Sequence, residues 1–114
     1  SLTPELQSAT LKKLEQLMKN EKPFLRPDFS LPDLASKLNV SIHALSQAIN
    51  DGLSKSFFEM LAEYRIEEAK RYLIDQPNIK IEEIAEQVGY NSKSSFNTAF
   101  KKITGKTPSE FRST

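Results

Sequence analysis

Four lysines and no carboxylate occupy residues 89–108, "GYNSKSSFNTAFKKITGKTP", in a chain of 114 residues whose net charge is only +1. Serine, threonine and asparagine side chains lie between the lysines. Ammonium groups and hydroxyls bind the oxygens of phosphates, and side-chain amides add directional hydrogen bonds. The segment therefore has the composition of a surface that binds an anion, and the question is which elements present it.

Catalytic and metal-binding chemistry finds little support elsewhere in the chain. The acidic pairs Glu67/Glu68 and Glu82/Glu83 are adjacent in sequence, so their carboxylates diverge on a helix and cannot converge in a cleft. His43 is the only histidine, and there is no cysteine, so the sequence offers no metal-ligand set. Glycine-rich phosphate loops and cofactor fingerprints are also missing. We therefore expect a protein that is not an enzyme, with no metal, cofactor or small-molecule site.

Length and hydrophobic spacing predict one all-α domain over residues 1–114. An apolar content of 38% supports one core of ordinary size. Apolar residues recur at helical spacing almost throughout, and long β-branched runs are absent. No apolar stretch is long enough for a membrane span, and no signal-peptide pattern is present, so a cytoplasmic location is expected.

Residues 1–29 are predicted to hold a first helix and a connector. Thr3 can cap this helix, with Pro4 in its first position, and Asn20 would end it. Pro23 and Pro27 then prevent the helix from continuing. Phe24, Leu25 and Phe29 of the connector are expected to reach the core.

A pair of short helices is then predicted twice, over residues 30–52 and 80–103. Ser30 with Asp33 can form a capping box for the first helix of the first pair, and Ser41 can cap the second. The apolar spacing of the first pair returns 50 residues later, with one extra residue in the second turn. The matched apolar residues are Leu31, Leu34, Ala35, Leu38, Leu45, Ala48 and Ile49 in the first pair, and Ile81, Ile84, Ala85, Val88, Phe96, Ala99 and Phe100 in the second.

A long helix within residues 56–75 separates the two pairs, and a short helix over residues 107–112 ends the chain. Eighteen residues from Phe57 to Ile74 would span about 27 Å at 1.5 Å each. Successive major grooves of duplex DNA lie about 34 Å apart. The similar lengths predict a DNA footprint of about two helical turns, with modest bending where the span falls short.

Each pair has the features of a helix-turn-helix, in which small residues (Ala35, Ala85) allow close helix crossing and Asn39 or Gly89 supplies positive φ in the turn. The second helix of such a pair, called here the reading helix, buries one face and offers the other to the major groove. Candidate base-reading residues are His43, Ser46, Gln47, Asn50, Lys93, Ser94, Asn97 and Thr98. Candidate phosphate-binding residues are Ser41, Ser92, Lys101, Lys102 and Lys106.

The segments "YRIEEAKRYL" and "IEEIAEQVGYNSKSSFNTAFKKITGKTPSEFR" resemble the DNA-binding domain of the AraC/XylS family of bacterial transcription regulators. The resemblance is specific from Tyr64 to Arg112 and moderate from Ser30 to Phe58. It implies seven helices, two helix-turn-helix pairs joined by a long helix, and double-stranded DNA as partner, with RNA polymerase a further candidate. It also implies that sensing and dimerisation belong to a region not present in this sequence.

Two departures from the family pattern concern the reading helices. The first, "LSQAINDGL", contains Asp51 and has no lysine before Lys55, so its grip on phosphate should be weak. The second has Thr98 where many relatives place arginine, so it lacks a fork for guanine. The stretch "KPFLRPDFSLPDLA" resembles a subgroup whose DNA-binding domains end large sensor proteins, some of them tethered to membranes.

Two questions remain open: the partners of two arginines, and whether the exposed faces bind DNA or proteins. Arg65 and Arg112 are expected to serve the structure by pairing with carboxylates, with phosphate contact as the alternative. The exposed faces could instead form a helical module that docks proteins and does not bind DNA. A steep salt dependence of duplex binding would distinguish the two functions, because phosphate contacts release counterions.

Overall fold

The computed structural model describes residues 2–114, which form seven α-helices, one short 3₁₀ helix and no strand. The all-α prediction is therefore confirmed for the described chain. None of these helices is both long and apolar enough to cross a membrane. The helices are α1 (Pro4–Glu21), α2 (Leu31–Leu38), α3 (Ile42–Leu53), α4 (Phe57–Asp75), α5 (Ile81–Gln87), α6 (Lys93–Thr104) and α7 (Pro108–Ser113).

The starts of α1 and α2 follow the capping residues in the sequence. The Thr3 hydroxyl accepts a hydrogen bond from the Leu6 amide at 3.2 Å, and Pro4 occupies the first turn of α1. Ser30 and Asp33 bond reciprocally to each other's backbone amides, which confirms the capping box of α2. These bonds satisfy amides that a helix start otherwise leaves without partners. Helix α1 continues one residue beyond Asn20, to Glu21.

The chain divides into two compact units, and the boundary between them falls inside α4. The first unit contains the chain up to Pro23 together with Asp28–Leu61. The second contains Phe24–Pro27 and Ala62–Thr114. Each unit therefore holds one complete helix pair: α2 with α3 in the first, and α5 with α6 in the second.

In the first unit, α1 and α2 pack against α3. A Cβ atom at Gly52 of α3 would lie 2.3 Å from the Leu11 side chain, so a glycine allows α3 to approach α1 closely. The Phe29 ring lies 6.2 Å from that of Phe57 at the start of α4. The buried apolar side chains of this unit are Leu14, Met18, Phe29, Leu34, Ala35, Leu45, Ala48, Ile49, Phe57, Met60 and Leu61.

The second unit has a core built around two phenylalanines of α6. Phe96 and Phe100 are fully buried and contact each other with ring centroids 5.7 Å apart. Tyr90 lies against Phe96 at 5.6 Å, and Phe111 of α7 against Phe100 at 5.4 Å. The other buried members of this core are Ile66, Ala69, Leu73, Ile84, Ala85 and Val88. One face of α6 is thus fixed by aromatic packing.

The duplication extends past the reading helices. Ser54, after α3, and Gly105, after α6, both adopt left-handed backbone geometry, with φ of 56° and 81°. Each is followed two residues later by a reciprocal cap that starts the next helix: Ser56 with Glu59 before α4, and Thr107 with Glu110 before α7. Both reading helices are therefore stopped and followed by the same local chemistry.

Arg65 and Arg112 serve the structure, but they bond to backbone carbonyls where carboxylate partners were expected. Arg65 donates to Phe24 O at 2.7 Å and to Arg26 O at 2.9 Å, which holds the connector against α4 within the second unit. Arg112 donates to Ile79 O at 2.7 Å and to Gln76 O at 3.1 Å. The planar guanidinium can bridge several carbonyls left free at a helix end and in a turn.

Candidate nucleic-acid interface

Helix α3 has one apolar and one polar face. The Ser41 hydroxyl accepts a hydrogen bond from the Ala44 amide at 3.1 Å and so fixes the start of the helix. Its buried residues are Leu45, Ala48 and Ile49, as the sequence predicted. Because these residues fix the rotation of the helix, the other face is left towards solvent. Of the candidate reading residues of α3, His43 and Asn50 are exposed, and Ser46 and Gln47 are half-buried.

Helix α6 repeats this arrangement with a stronger polar face. The Ser92 hydroxyl accepts from the Ser95 amide at 3.1 Å, so the start of the helix is capped as in α3. The buried Phe96 and Phe100 fix its rotation. The exposed candidates on α6 are Lys93, Ser94, Thr98, Lys101 and Lys102, and Ser92 and Lys106 are exposed just outside its two ends.

The hydroxyls of these candidates already take part in local bonds. Ser92 also shares a hydrogen bond with the Ser95 hydroxyl at 3.0 Å. Thr98 donates its hydroxyl to the Ser94 carbonyl at 3.0 Å. A donor used in this way is not free for a second acceptor, so in this rotamer Thr98 offers a ligand its methyl group and an oxygen lone pair.

Asn97 differs from the other candidates, because its side-chain oxygen is buried and has no hydrogen-bond partner. The residue as a whole is half-buried. A bidentate contact to adenine needs both the oxygen and the nitrogen of the amide at the base edge. In the conformation observed, Asn97 cannot supply the oxygen.

The two reading helices differ in charge. Helix α6 carries three lysines and no acid, whereas α3 carries Asp51 and neither lysine nor arginine. Lys93 lies 3.9 Å from Glu82 of α5, and both side chains are more than half exposed, so water and salt weaken this pair. The pKa of Glu110 is lowered mainly by hydrogen bonds with Thr107, with smaller contributions from Lys101 and Lys106. Positive charge is thus concentrated at α6.

The turn before α6 depends on a glycine. Gly89 has φ of 103°, and a Cβ atom there would lie 2.7 Å from Arg65 Nε and 2.8 Å from Phe24 O. The Arg65 guanidinium also lies 5.4 Å from the centre of the Tyr90 ring. Burial lowers the pKa of Arg65, and the neighbouring Tyr90 partly opposes this shift. Gly89 therefore makes room for the arginine that ties the connector to α4.

Sequence reasoning overlooked Ile42, the first residue of α3, which is 49% exposed. The reading helices align with an offset of 51 residues, which pairs Ser41 with Ser92 and Ile42 with Lys93. Lys93 was predicted as a base-reading candidate because it lies on the outward face of α6. Because the alignment pairs Ile42 with Lys93, it would have added Ile42 to the base-reading candidates. Within residues 2–114, no cluster of histidine and acidic side chains could hold a metal ion.

Comparison with known proteins identifies the family. A family model described as "Helix-turn-helix domain" matches residues 34–114. The chain is 35% identical over 80 residues to the Msm operon regulatory protein of Streptococcus mutans, an alignment that covers 70% of this chain and 28% of that regulator. The chain thus spans under a third of the length of this curated relative.

Two solved structures show the same fold. The C-terminal domain of AraT, a response regulator from Geobacillus stearothermophilus, superposes with a TM-score of 0.78 at 35% identity, covering 98% of this chain and 86% of that one. The DNA-binding domain of AdpA, solved in complex with a target DNA, superposes with a TM-score of 0.74 at 19% identity, covering 88% and 89%. From the family match, the curated relative and the AraT structure, we conclude that the chain belongs to the AraC/XylS family of helix-turn-helix transcription regulators and contains its DNA-binding domain.

Proposed function

We propose that this domain binds double-stranded DNA in a sequence-specific manner through α3 and α6, which enter successive major grooves, and that it thereby regulates bacterial transcription. The observation that carries the proposal is the duplicated, capped reading helix, which buries an apolar face and leaves a polar face exposed in each unit. A helix of this kind offers donors and acceptors to the edges of base pairs.

The two helices contribute differently in this proposal. Lysines attract phosphates at any sequence, so α6, with Lys101, Lys102 and the nearby Lys106, supplies most of the salt-dependent affinity. Ser41 and Ser92, at the helix starts, add hydroxyls that can reach phosphates. Base preference comes from His43, Ser46, Gln47 and Asn50 on α3, and from Lys93, Ser94, Asn97 and Thr98 on α6.

The length of α4 supports engagement of two grooves. Its 19 residues span about 28 Å at 1.5 Å per residue. The repeat of the duplex is about 34 Å, a length of the same order. The complex of the related AdpA fold with its target DNA shows that this architecture can bind DNA.

The proposal also covers the longer protein to which this domain belongs, its location and its partners. Residues 1–114 act as one output domain of a longer regulator, whose sensing and dimerisation regions lie outside this sequence. The domain itself has no enzymatic activity, works in the cytoplasm, in some arrangements below a membrane-tethered sensor, and contacts RNA polymerase. The short share of the Msm regulator that the chain covers supports the view of an output domain.

Selection of bound fragments from random duplex DNA, followed by titration at several salt concentrations, tests the proposal. We expect enrichment of a site about two helical turns long and a steep decline of affinity with salt. A domain that only docks proteins would enrich no sequence and would bind duplexes weakly, with little change between low and high salt. That result would refute DNA binding as the function of this domain.

A further inference from the structure

Ile42 exposes an apolar side chain at the start of the first reading helix. It directly follows the capping residue Ser41 and is 49% exposed. The buried face of α3 consists of Leu45, Ala48 and Ile49, so Ile42 is not part of the core. Among the residues of α3, it is the one large apolar side chain that is exposed.

Ile42 lies in the first turn of α3, a position that matters for DNA binding. Its role there rests on the proposed function. In helix-turn-helix proteins, residues near the N-terminus of the reading helix contact base edges in the major groove. The equivalent residue of α6 is Lys93, which is exposed as well. The first turn of α3 thus presents a branched hydrocarbon to the groove where the first turn of α6 presents an ammonium group.

The major groove contains one apolar group, the C5 methyl group of thymine. Helix α3 has no lysine or arginine, so its share of the affinity must come from hydrogen bonds and apolar contacts. A β-branched side chain is stiff at χ1, so Ile42 loses little conformational freedom when it docks. These properties fit a methyl contact better than a phosphate contact.

We propose that Ile42 contacts the methyl group of a thymine in the half-site bound by α3. The contact selects thymine over cytosine at one position by burying two apolar surfaces against each other. Its contribution does not depend on salt, because no counterion is released. Ile42 is therefore a specificity-determining residue.

Replacing thymine with deoxyuridine tests this proposal, because the exchange removes the methyl group and leaves the pairing and the base-edge hydrogen bonds unchanged. Each thymine of the selected site is exchanged singly, and affinity is measured by fluorescence anisotropy. We expect one exchange in the α3 half-site to weaken binding about fourfold, as burial of one methyl group predicts. The Ile42→Ser variant should bind the thymine and deoxyuridine duplexes equally, whereas Ile42→Val should keep most of the discrimination.

Ile74→Ser is the matched control, because Ile74 is also exposed, at 64%, but lies near the end of α4. This variant should discriminate thymine from deoxyuridine as the parent does. The proposal fails where the parent binds every deoxyuridine duplex as tightly as the thymine duplex, or where Ile42→Ser keeps the discrimination. Either result leaves a salt-dependent, sequence-selective binder intact, so it is distinct from a failure of the proposed function, in which no duplex is selected.

Discussion

Lys101 illustrates how a single exposed charge can be assigned a role. It lies in the last turn of α6, is exposed, and contributes to the lowered pKa of Glu110 without forming a short ion pair with it. A side chain of this kind adds little to folding stability, since exposed charges interact weakly through water. Lys101 can instead attract an anion such as a DNA phosphate.

Lys101→Ala should therefore weaken binding to all duplexes alike. The slope of log affinity against log salt concentration should fall by about one unit, because one phosphate contact is lost. The control is Lys12→Ala, which removes an exposed lysine from α1. Equal slopes for Lys101→Ala and the parent in a salt titration would remove Lys101 from the phosphate-binding residues.

For Asn97, the predicted effects concern folding stability and base selectivity, whereas for Lys101 they concern overall affinity. Its buried oxygen lacks a partner, and an unpaired buried acceptor costs free energy in the unbound protein. Asn97→Ala should leave the free energy of unfolding unchanged or raise it by up to about 1 kcal/mol. The amide nitrogen can still donate one hydrogen bond to a base, so the same variant should lose about 1 kcal/mol of discrimination at one position.

Urea denaturation and a second fragment selection measure the two effects of Asn97→Ala separately. A loss of stability by more than 1 kcal/mol would show that the amide has a structural partner in solution. Unchanged selectivity would show that Asn97 is not among the base-reading residues. The two measurements together decide whether Asn97 serves the fold or the interface.

At the scale of elements, the turn before α6 combines two constraints that act on one residue. Gly89 needs positive φ, and it also leaves the space that Arg65 and the Phe24 carbonyl occupy. Gly105, after α6, has positive φ too, but a Cβ atom there would meet nothing within 4 Å. Comparing substitutions at the two glycines therefore distinguishes the cost of backbone strain from the cost of steric crowding.

Gly89→Ala should lower the free energy of unfolding by about 2 to 4 kcal/mol, because strain in φ adds to displacement of the buried arginine. Gly105→Ala should cost only about 1 to 2 kcal/mol, the price of left-handed geometry for an L-residue. Denaturation midpoints measured by circular dichroism provide the comparison. Equal losses for both variants would show that the space next to Arg65 is not required.

The same elements show what the sequence can and cannot predict. Caps such as Ser30 and Ser41 act on amides three residues away, so their patterns are local and were predicted correctly. The apolar faces of both reading helices followed from helical spacing for the same reason. The partners of Arg65 were missed because the carbonyls of Phe24 and Arg26 lie about 40 residues away in the sequence.

The candidate interface was predictable in part. Exposure of the lysines on α6 followed from the buried positions of Phe96 and Phe100, which fix the rotation of the helix. The buried oxygen of Asn97 did not, because it depends on a rotamer set by tertiary neighbours. Ile42 was not predicted, because every base-reading candidate was a polar or charged side chain that can form hydrogen bonds with a base edge.

At the scale of the whole molecule, the central feature is that two units, each with one helix pair, share the continuous helix α4. The boundary between the units falls between Leu61 and Ala62, in the middle of α4. Each unit places its own apolar residues of α4 in its core: Met60 and Leu61 in the first, and Ile66, Ala69 and Leu73 in the second. A change confined to the exposed face of α3 should therefore leave the second unit folded and able to bind.

Hydroxyl-radical footprinting on the selected site makes this independence measurable. The parent should protect two clusters of nucleotides about 10 base pairs apart, as expected for readers in successive major grooves. A variant with alanine in place of His43, Gln47 and Asn50 should lose one cluster and keep the other. Because α6 carries the lysines, the remaining cluster should show nearly the full salt dependence of the parent. At protein concentrations that saturate the half-site of α6, a parent with a single protected cluster, or a variant that loses both clusters together, would contradict engagement of two grooves by separate units.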